Sequence, residues 1–304
     1  MKNVIEIKNL FKSFKDVKAV YDLSFSVKEG ELFAFLGLNG AGKSTTISII
    51  CGQLEKDQGQ VIINGVDTDL NTESFKNELG VVFQNSVLDK SLSVKDNLES
   101  RAALYNICGQ DFYNRLYELA DLLDFKSFLS KSVGKLSGGQ RRKIDIARAL
   151  IHQPKILILD EPTTGLDPQT RKLVWNVLNQ LRKENHMTIF LTTHYMEEAS
   201  DADYVIILDS GKIVAEGTPL QLKNQYTGDF ITLYNIDQSD IEQLSLKYEK
   251  IRDAYRMEVS NTAEATRLIM QYPELFQDYE ITKGKMDDVF LSITGKRLTG
   301  GDEK

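Results

Sequence analysis

Short apolar runs alternate along the chain with stretches in which apolar residues recur every three to four positions, and this alternation predicts a sheet flanked by helices. Residues 4–8, 24–28 and 31–37 read as strands, the last running into a glycine-rich turn, and a helical pattern follows over 43–54. Residues 61–63 and 79–84 are strand-like again. From about 92 to 128 the pattern is helical, with Leu98, Ala102 and Tyr105 on one face, which predicts a helical insertion carried by the main domain. Ile144, Ala147, Arg148 and Ile151 mark a face of another helix that Pro154 ends. Residues 155–160, closed off by Pro154 and Pro162, read as a buried parallel strand, and 188–193 repeat the pattern. Residues 204–209 and 212–215 flank Asp209-Ser210-Gly211 as a hairpin.

Past Pro219 the texture changes. Residues 220–228 are polar and read as a linker. Strand-like segments follow at 230–234, 254–259 and 279–282, with helical ones at 240–248, 262–270 and 286–297, enough for a small αβ subdomain; 299–304 read as a frayed end. The expected organisation is a main domain over 1–225, with a helical subdomain at about 86–150, and a C-terminal subdomain over 226–304.

Composition narrows the class. The chain has 304 residues, 41% hydrophobic and 27% charged, which is an ordinary core-forming balance. A net charge of −7 argues against a nucleic-acid partner, since binding phosphates requires a basic surface. Cys51 and Cys108 stand far apart without a CxxC, as in a reduced intracellular chain. The first residues have no apolar core or cleavage site of a signal peptide. The longest apolar runs, 32–38 and 204–208, fall far short of the ~20 residues that span a bilayer, so any membrane-spanning segments belong to another chain.

The chemistry begins at Gly37-Leu38-Asn39-Gly40-Ala41-Gly42-Lys43-Ser44, which fits G-x-x-x-x-G-K-[ST] between a strand and a helix. In such a P-loop, backbone N–H groups converge on phosphates, glycines let the chain approach without a Cβ clash, and the helix adds its positive end. Lys43 is expected to reach the β- and γ-phosphates and Ser44 to give Mg²⁺ an oxygen. The binding set runs through Asn39, Gly40, Ala41, Gly42, Lys43, Ser44, Thr45 and Thr46. Asp160 and Glu161 stand at the carboxyl end of the apolar run Ile156-Leu157-Ile158-Leu159, the edge of an open α/β sheet where ligands bind. Asp160 is expected to hold Mg²⁺ and Glu161 to polarise the attacking water. Ser137-Gly138-Gly139-Gln140, after Leu136 and before a helix, suits either a second anion site or a plain N-cap.

Leu136-Ser137-Gly138-Gly139-Gln140 between a P-loop and Ile156-Leu157-Ile158-Leu159-Asp160-Glu161-Pro162 resembles the ABC ATPases, and the resemblance covers about residues 3–225. It implies an α/β P-loop NTPase core with an antiparallel β subdomain and an inserted helical subdomain, to which the C-terminal αβ subdomain is added. It makes Gln84 the Q-loop glutamine, which senses Mg²⁺ and water, Asp167 of Gly165-Leu166-Asp167 the D-loop aspartate, His194 the switch histidine, and Phe14 the aromatic that stacks on adenine. His152 and His186 have no such context and read as structural or exposed. The resemblance further implies that the Ser137–Gln140 signature of one subunit completes the ATP site of another, in a homodimer or a pair with a related ATPase.

The same resemblance implies a separate transmembrane permease, docked in a groove beside the Q-loop for which Leu88, Leu92 and Val94 are candidates unless they are core. The chain would then sit peripherally at the cytoplasmic face of the membrane. The ending Met286-Asp287-Asp288-Val289-Phe290-Leu291-Ser292-Ile293-Thr294-Gly295 looks like that of ATPases of drug-, antibiotic- and sodium-exporting systems; read from its residues it is an amphipathic helix with Met286, Val289, Phe290 and Ile293 inward. The expectation is therefore an ATPase powering export of a drug, antibiotic, lipid or ion. Its alternatives are an importer ATPase and a soluble ABC-type factor acting on ribosomes or nucleic acid.

Overall fold

The computed structural model describes residues 2–70, 75–244 and 246–296. The chain opens with β1 (Asn3–Phe14) and β2 (Val17–Lys28), a long antiparallel hairpin. Ile5 and Ile7 point into the core while Glu6 and Lys8 face outward, the period-two alternation of a half-buried strand. Next come β3 (Leu32–Leu36), α1 (Lys43–Ile50), β4 (Gln58–Ile63), β5 (Val66–Asp67) and β6 (Leu79–Val82). Two helices, α2 (Val94–Ala103) and α3 (Gly109–Leu122), precede α4 (Gly138–Leu150), β7 (Ile156–Asp160), α5 (Pro168–Asn185), β8 (Thr188–Thr193) and α6 (Met196–Ser200). The hairpin β9 (Tyr204–Asp209) and β10 (Lys212–Gly217) follows.

One sheet has the order β2-β1-β4-β5; a second, of six strands, has the order β10-β9-β3-β8-β7-β6, parallel from β9 through β6. Every residue of β3, β7 and β8 is buried, as in parallel strands covered on both faces. Phe25 of the first sheet packs on Phe33 and Phe35 of the second, at ring-centroid distances of 5.5 and 5.1 Å. The register sets Leu36 beside Thr193 and Asp160 beside Thr192. The residues just past these ends, Gly37, Glu161 and His194, thus emerge side by side.

Helix α3 buries Phe112, Leu116, Leu119 and Ala120, the i, i+4, i+7, i+8 spacing of one face. Helix α4 lies against β6, where Gly80 permits the approach: a Cβ there would stand 2.5 Å from the Ala149 carbonyl oxygen. Val94 and Leu88 are core, whereas Leu92 is exposed, so of the three groove candidates only Leu92 is left at the surface.

The chain packs as two units, residues 1–214 and 215–304. The second contains α7 (Pro219–Tyr226), β11 (Asp229–Tyr234), α8 (Gln238–Glu242), β12 (Tyr248–Ile251), β13 (Ala254–Val259), α9 (Thr262–Gln271), β14 (Tyr279–Lys283) and α10 (Met286–Thr294). The strands run antiparallel in the order β12-β13-β11-β14, so β11 through β14 form a split β-α-β-β-α-β unit. Its core gathers Ile231, Leu233, Ile241, Tyr255, Met257, Val259, Ala265 and Phe276.

Several expectations are corrected here. The expected linker at 220–228 is the helix α7. Thr218 caps it reciprocally with Gln221, and Pro219 takes the first turn, where its missing N–H costs nothing. The expected helix at 240–248 stops at Glu242, and Tyr248 opens strand β12 instead. The phosphate-loop helix ends at Ile50 and the strand before Gln84 at Val82. In α10, Met286, Val289 and Phe290 are buried and Ile293 is half-buried. The helix expected to run to 297 stops at Thr294, where Gly295 turns into the left-handed region at φ 66°; residue 297 and the frayed end expected at 299–304 lie outside the described residues.

Candidate functional site

The phosphate loop is shaped by close approaches. Gly42, in the left-handed region at φ 104°, lies so near β2 that a Cβ would stand 2.4 Å from the Ala19 carbonyl oxygen. Gly42 is also the N-cap of α1 and supplies no side-chain capping bond, which leaves that role open at the start of the helix. Lys43 Nζ donates to the carbonyl oxygens of Gly37 at 2.7 Å and Leu38 at 3.2 Å, and stands 3.5 Å from Glu161 Oε1. Burial pulls the Lys43 ammonium below the usual lysine range, and the carboxylates of Glu161 and Asp160 oppose it. Asn39, Gly40 and Ser44 are exposed, Ala41 is buried, and Thr45 is half-buried. Thr46 is buried with its hydroxyl on the Gly42 carbonyl, 2.9 Å, which serves the helix rather than a ligand.

Across from the loop, Asp160 and Glu161 are both almost fully buried. Asp160 Oδ1 accepts the Thr192 hydroxyl at 2.6 Å and the Ser44 hydroxyl at 3.2 Å. The Asp160 carboxylate and Ser44 hydroxyl form a hard oxygen pair at the mouth of the loop. That donor set suits Mg²⁺, which takes one or two protein oxygens and completes its shell with water and phosphate. Glu161 has φ 47°, a left-handed conformation that costs a non-glycine residue energy and clusters at functional sites. It is held there by its N–H, which donates to Thr192 Oγ1 at 3.0 Å and to the Thr192 carbonyl at 3.2 Å. Its Oε2 accepts from Gln84 Nε2 and Thr164 Oγ1, each at 3.2 Å, and lies 3.4 Å from His194 Nδ1. Lys43, Ser44, Gln84, Asp160, Glu161 and His194, separated by up to 151 positions in sequence (194 − 43), therefore form one cluster.

The remaining predicted residues stand in other groups. Ser137 and Gln140 make a reciprocal capping box at the start of α4, Ser137 Oγ accepting the Gln140 N–H at 3.2 Å and Gln140 Oε1 the Ser137 N–H at 3.1 Å. Within the single chain the plain N-cap reading thus holds; Gly138 is open, and a Cβ on Gly139 would stand 2.9 Å from Thr170 Oγ1. Asp167 caps α5 by accepting from the Thr170 N–H at 3.0 Å and hydroxyl at 2.6 Å, bonds that hold its carboxyl below the usual range. Phe14 ends β1, is 47% exposed, and has Lys12 Nζ over its ring at 5.6 Å from the centroid.

Sequence reasoning missed the residues that hold the cluster in shape. Arg142 on α4 is buried, and its guanidinium donates to the carbonyl oxygens of Phe83 at 2.6 Å, Pro162 at 2.7 Å, Asp160 at 3.1 Å and Glu161 at 2.7 Å. It thereby joins the helix that begins at Ser137 to the acidic strand end and to the residue before Gln84. Thr192 and Thr164 are the other two. No local pattern marks any of them, because their partners come from distant strands; only the position of Thr192, beside Asp160 at the carboxyl edge of the next strand, offered a signal.

Residues 20–164 match the family described as ABC transporter. The chain is 34% identical over 300 residues to the Nod factor export ATP-binding protein I of Burkholderia orbicola, covering 97% of this chain and 98% of that one. It is 30% identical over 308 residues to the daunorubicin resistance ATP-binding protein DrrA2 of Streptomyces coeruleorubidus, covering 96% and 95%. Identity to the probable multidrug ABC transporter ATP-binding protein YbhF of Escherichia coli is 37% over 226 residues, 74% of this chain, which spans only 39% of that longer relative. Among solved structures, the dimeric ATP-binding cassette MJ0796 in a post-hydrolysis state bound to ADP and Pi aligns with a TM-score of 0.66 at 28% identity, over 70% of this chain and 98% of that one.

Proposed function

We propose that this chain, which belongs to the ABC transporter ATP-binding proteins, binds and hydrolyses MgATP as half of a nucleotide-clamped dimer and so powers a separate membrane permease that exports its cargo. The observation that carries this reading is the convergence of Lys43, Ser44, Asp160, Glu161, Gln84 and His194 where β3, β7 and β8 end together.

Each residue has a part that its position supports. Lys43 and the N–H groups at the start of α1 neutralise the phosphates. Ser44 and Asp160 would hold Mg²⁺, which when bound would neutralise charge on the phosphates, with Gln84 able to reach the same mouth. Glu161 takes the proton of the attacking water, an assistance typically worth ~10²–10⁴ in rate. Glu161 pairs with Lys43 and lies beside His194; the same three side chains are thus placed to contact the terminal phosphate and the water. Phe14 stacks the base.

Ser137, Gly138, Gly139, Gln140 and Asp167 complete the partner's site. They line the start of α4 and α5 without taking part in their own chain's carboxylate cluster, as residues serving a second copy would. The dimeric cassette among the solved relatives supports this arrangement, in which a triphosphate gripped from both sides favours closure and its cleavage releases it. Among the described residues no helix is long and apolar enough to cross a membrane, and two relatives are named for export or multidrug transport. Both support a peripheral ATPase at the cytoplasmic face that works through separate permease subunits.

The direct test is nucleotide titration of Lys43→Ala beside the wild type. The wild type binds MgATP and releases phosphate, and the variant does neither. A variant that binds ATP with wild-type affinity contradicts the phosphate-loop role.

A further inference from the structure

Glu198 lies on the short helix α6, four residues past His194, and is only 3% exposed. One carboxylate oxygen accepts the Thr163 hydroxyl, and the other accepts the Thr193 hydroxyl at 2.6 Å. Thr163 and Thr193 are themselves buried. Thr193 Oγ1 in turn accepts the Tyr195 N–H at 2.9 Å, so the main chain on both sides of His194 is tied to this carboxylate. Thr163 stands two residues past Glu161, and Thr193 immediately before His194.

A buried carboxylate normally sits against a cation or is costly to keep. Among the described residues, none of the ion pairs involves Glu198; its partners are hydroxyls, and they belong to the two segments that carry Glu161 and His194. An apolar side chain of similar size would fill the same space without that cost. What it would not do is join these two segments.

We propose that Glu198 is a positioning residue for hydrolysis: through Thr163 and Thr193 it fixes the separation between the Glu161 carboxylate and the His194 ring. The inference rests on the hydrolytic reading of Glu161 and His194. The clamp acts on geometry at the terminal phosphate, not on the phosphate loop, so it governs turnover and leaves nucleotide affinity alone. Loss of one clamp bond misplaces a reacting group by a fraction of an ångström, and misplacement of about 1 Å costs about 100-fold in rate.

The experiment measures kcat, KM and MgATP Kd for the wild type, Glu198→Gln, Thr163→Val and the double variant, with melting temperature as the control for folding. Thr163→Val keeps the buried volume and removes the hydroxyl, so it breaks the clamp even if changes at Glu198 disturb the fold. The expected result is a fall in kcat of about tenfold or more in Thr163→Val, with Kd within about twofold of wild type, and a double variant no worse than the more affected single one. Wild-type kcat in a folded Thr163→Val protein overturns the clamp while leaving hydrolysis by Glu161 intact. So does a loss of kcat matched by an equal loss of affinity, which marks a merely structural role. Absence of turnover in the wild type itself overturns the hydrolytic reading and the clamp with it.

Discussion

The guanidinium of Arg142 donates to the main-chain carbonyl of Glu161 at 2.7 Å, which ties helix α4 to the strand end that carries the proposed general base. The same side chain holds the carbonyls of Pro162 and Phe83, and through Phe83 the residue ahead of Gln84. Burial draws the Arg142 guanidinium below its usual range, with Asp145 foremost among the carboxylates that oppose the shift. A planar, five-donor group is needed here, because the acceptors are four carbonyl oxygens in different directions.

Arg142→Lys is therefore not conservative. The ammonium cannot reach all four acceptors, and buried carbonyls are left unpaired. The expected loss is about 3 kcal/mol in the free energy of unfolding, seen as a lower urea midpoint at unchanged m-value. A midpoint equal to wild type contradicts the role.

His152 makes stability depend on pH. Its Nε2–H donates to the Leu79 carbonyl at 3.0 Å, its ring stacks on Tyr105 with centroids 4.0 Å apart, and burial pushes its pKa down from 6.5 to about 4. The folded state keeps the ring neutral while the unfolded chain takes up a proton below about 6.5. The stabilisation is thus complete above that value and is lost as pH falls from about 6.5 towards 4. Melting temperatures across this range should fall less steeply for His152→Gln than for the wild type; identical slopes contradict the assignment.

The two cysteines should differ in reactivity. Cys51 follows α1, and burial, with the nearby Asp160 charge, pushes its thiol up to about 12; Cys108 is exposed. The thiolate is the reactive form, so at about pH 8 iodoacetamide should modify Cys108 and spare Cys51 in the folded protein. Mass spectrometry of peptides reads this directly, and rapid labelling of Cys51 contradicts its placement.

The parts of the fold that were legible are those fixed by local pattern. The apolar runs of β3, β7 and β8 and the glycines of the phosphate loop announce themselves, because burial on both faces and close backbone approach each restrict residue type. Lys43, Ser44, Asp160, Glu161, Gln84 and His194 were legible because they sit at the ends of such runs or match the family's pattern. Helix α7 was misread as a linker although Thr218, Pro219 and Gln221 spell a capped start; its polar surface hid the cap. Arg142, Thr163 and Glu198 were not legible, since what they do depends on which strands lie side by side, and that order is a tertiary fact.

The central claim is that two copies of this chain close around ATP and reopen when Glu161 completes hydrolysis. Glu161→Gln keeps the shape of the side chain and removes its basicity. Light scattering of the purified variant with saturating MgATP should give twice the monomer mass, persisting after excess nucleotide is removed, while the wild type returns to monomer as phosphate is released. A variant that stays monomeric at saturating MgATP, or that releases phosphate at the wild-type rate, contradicts the account.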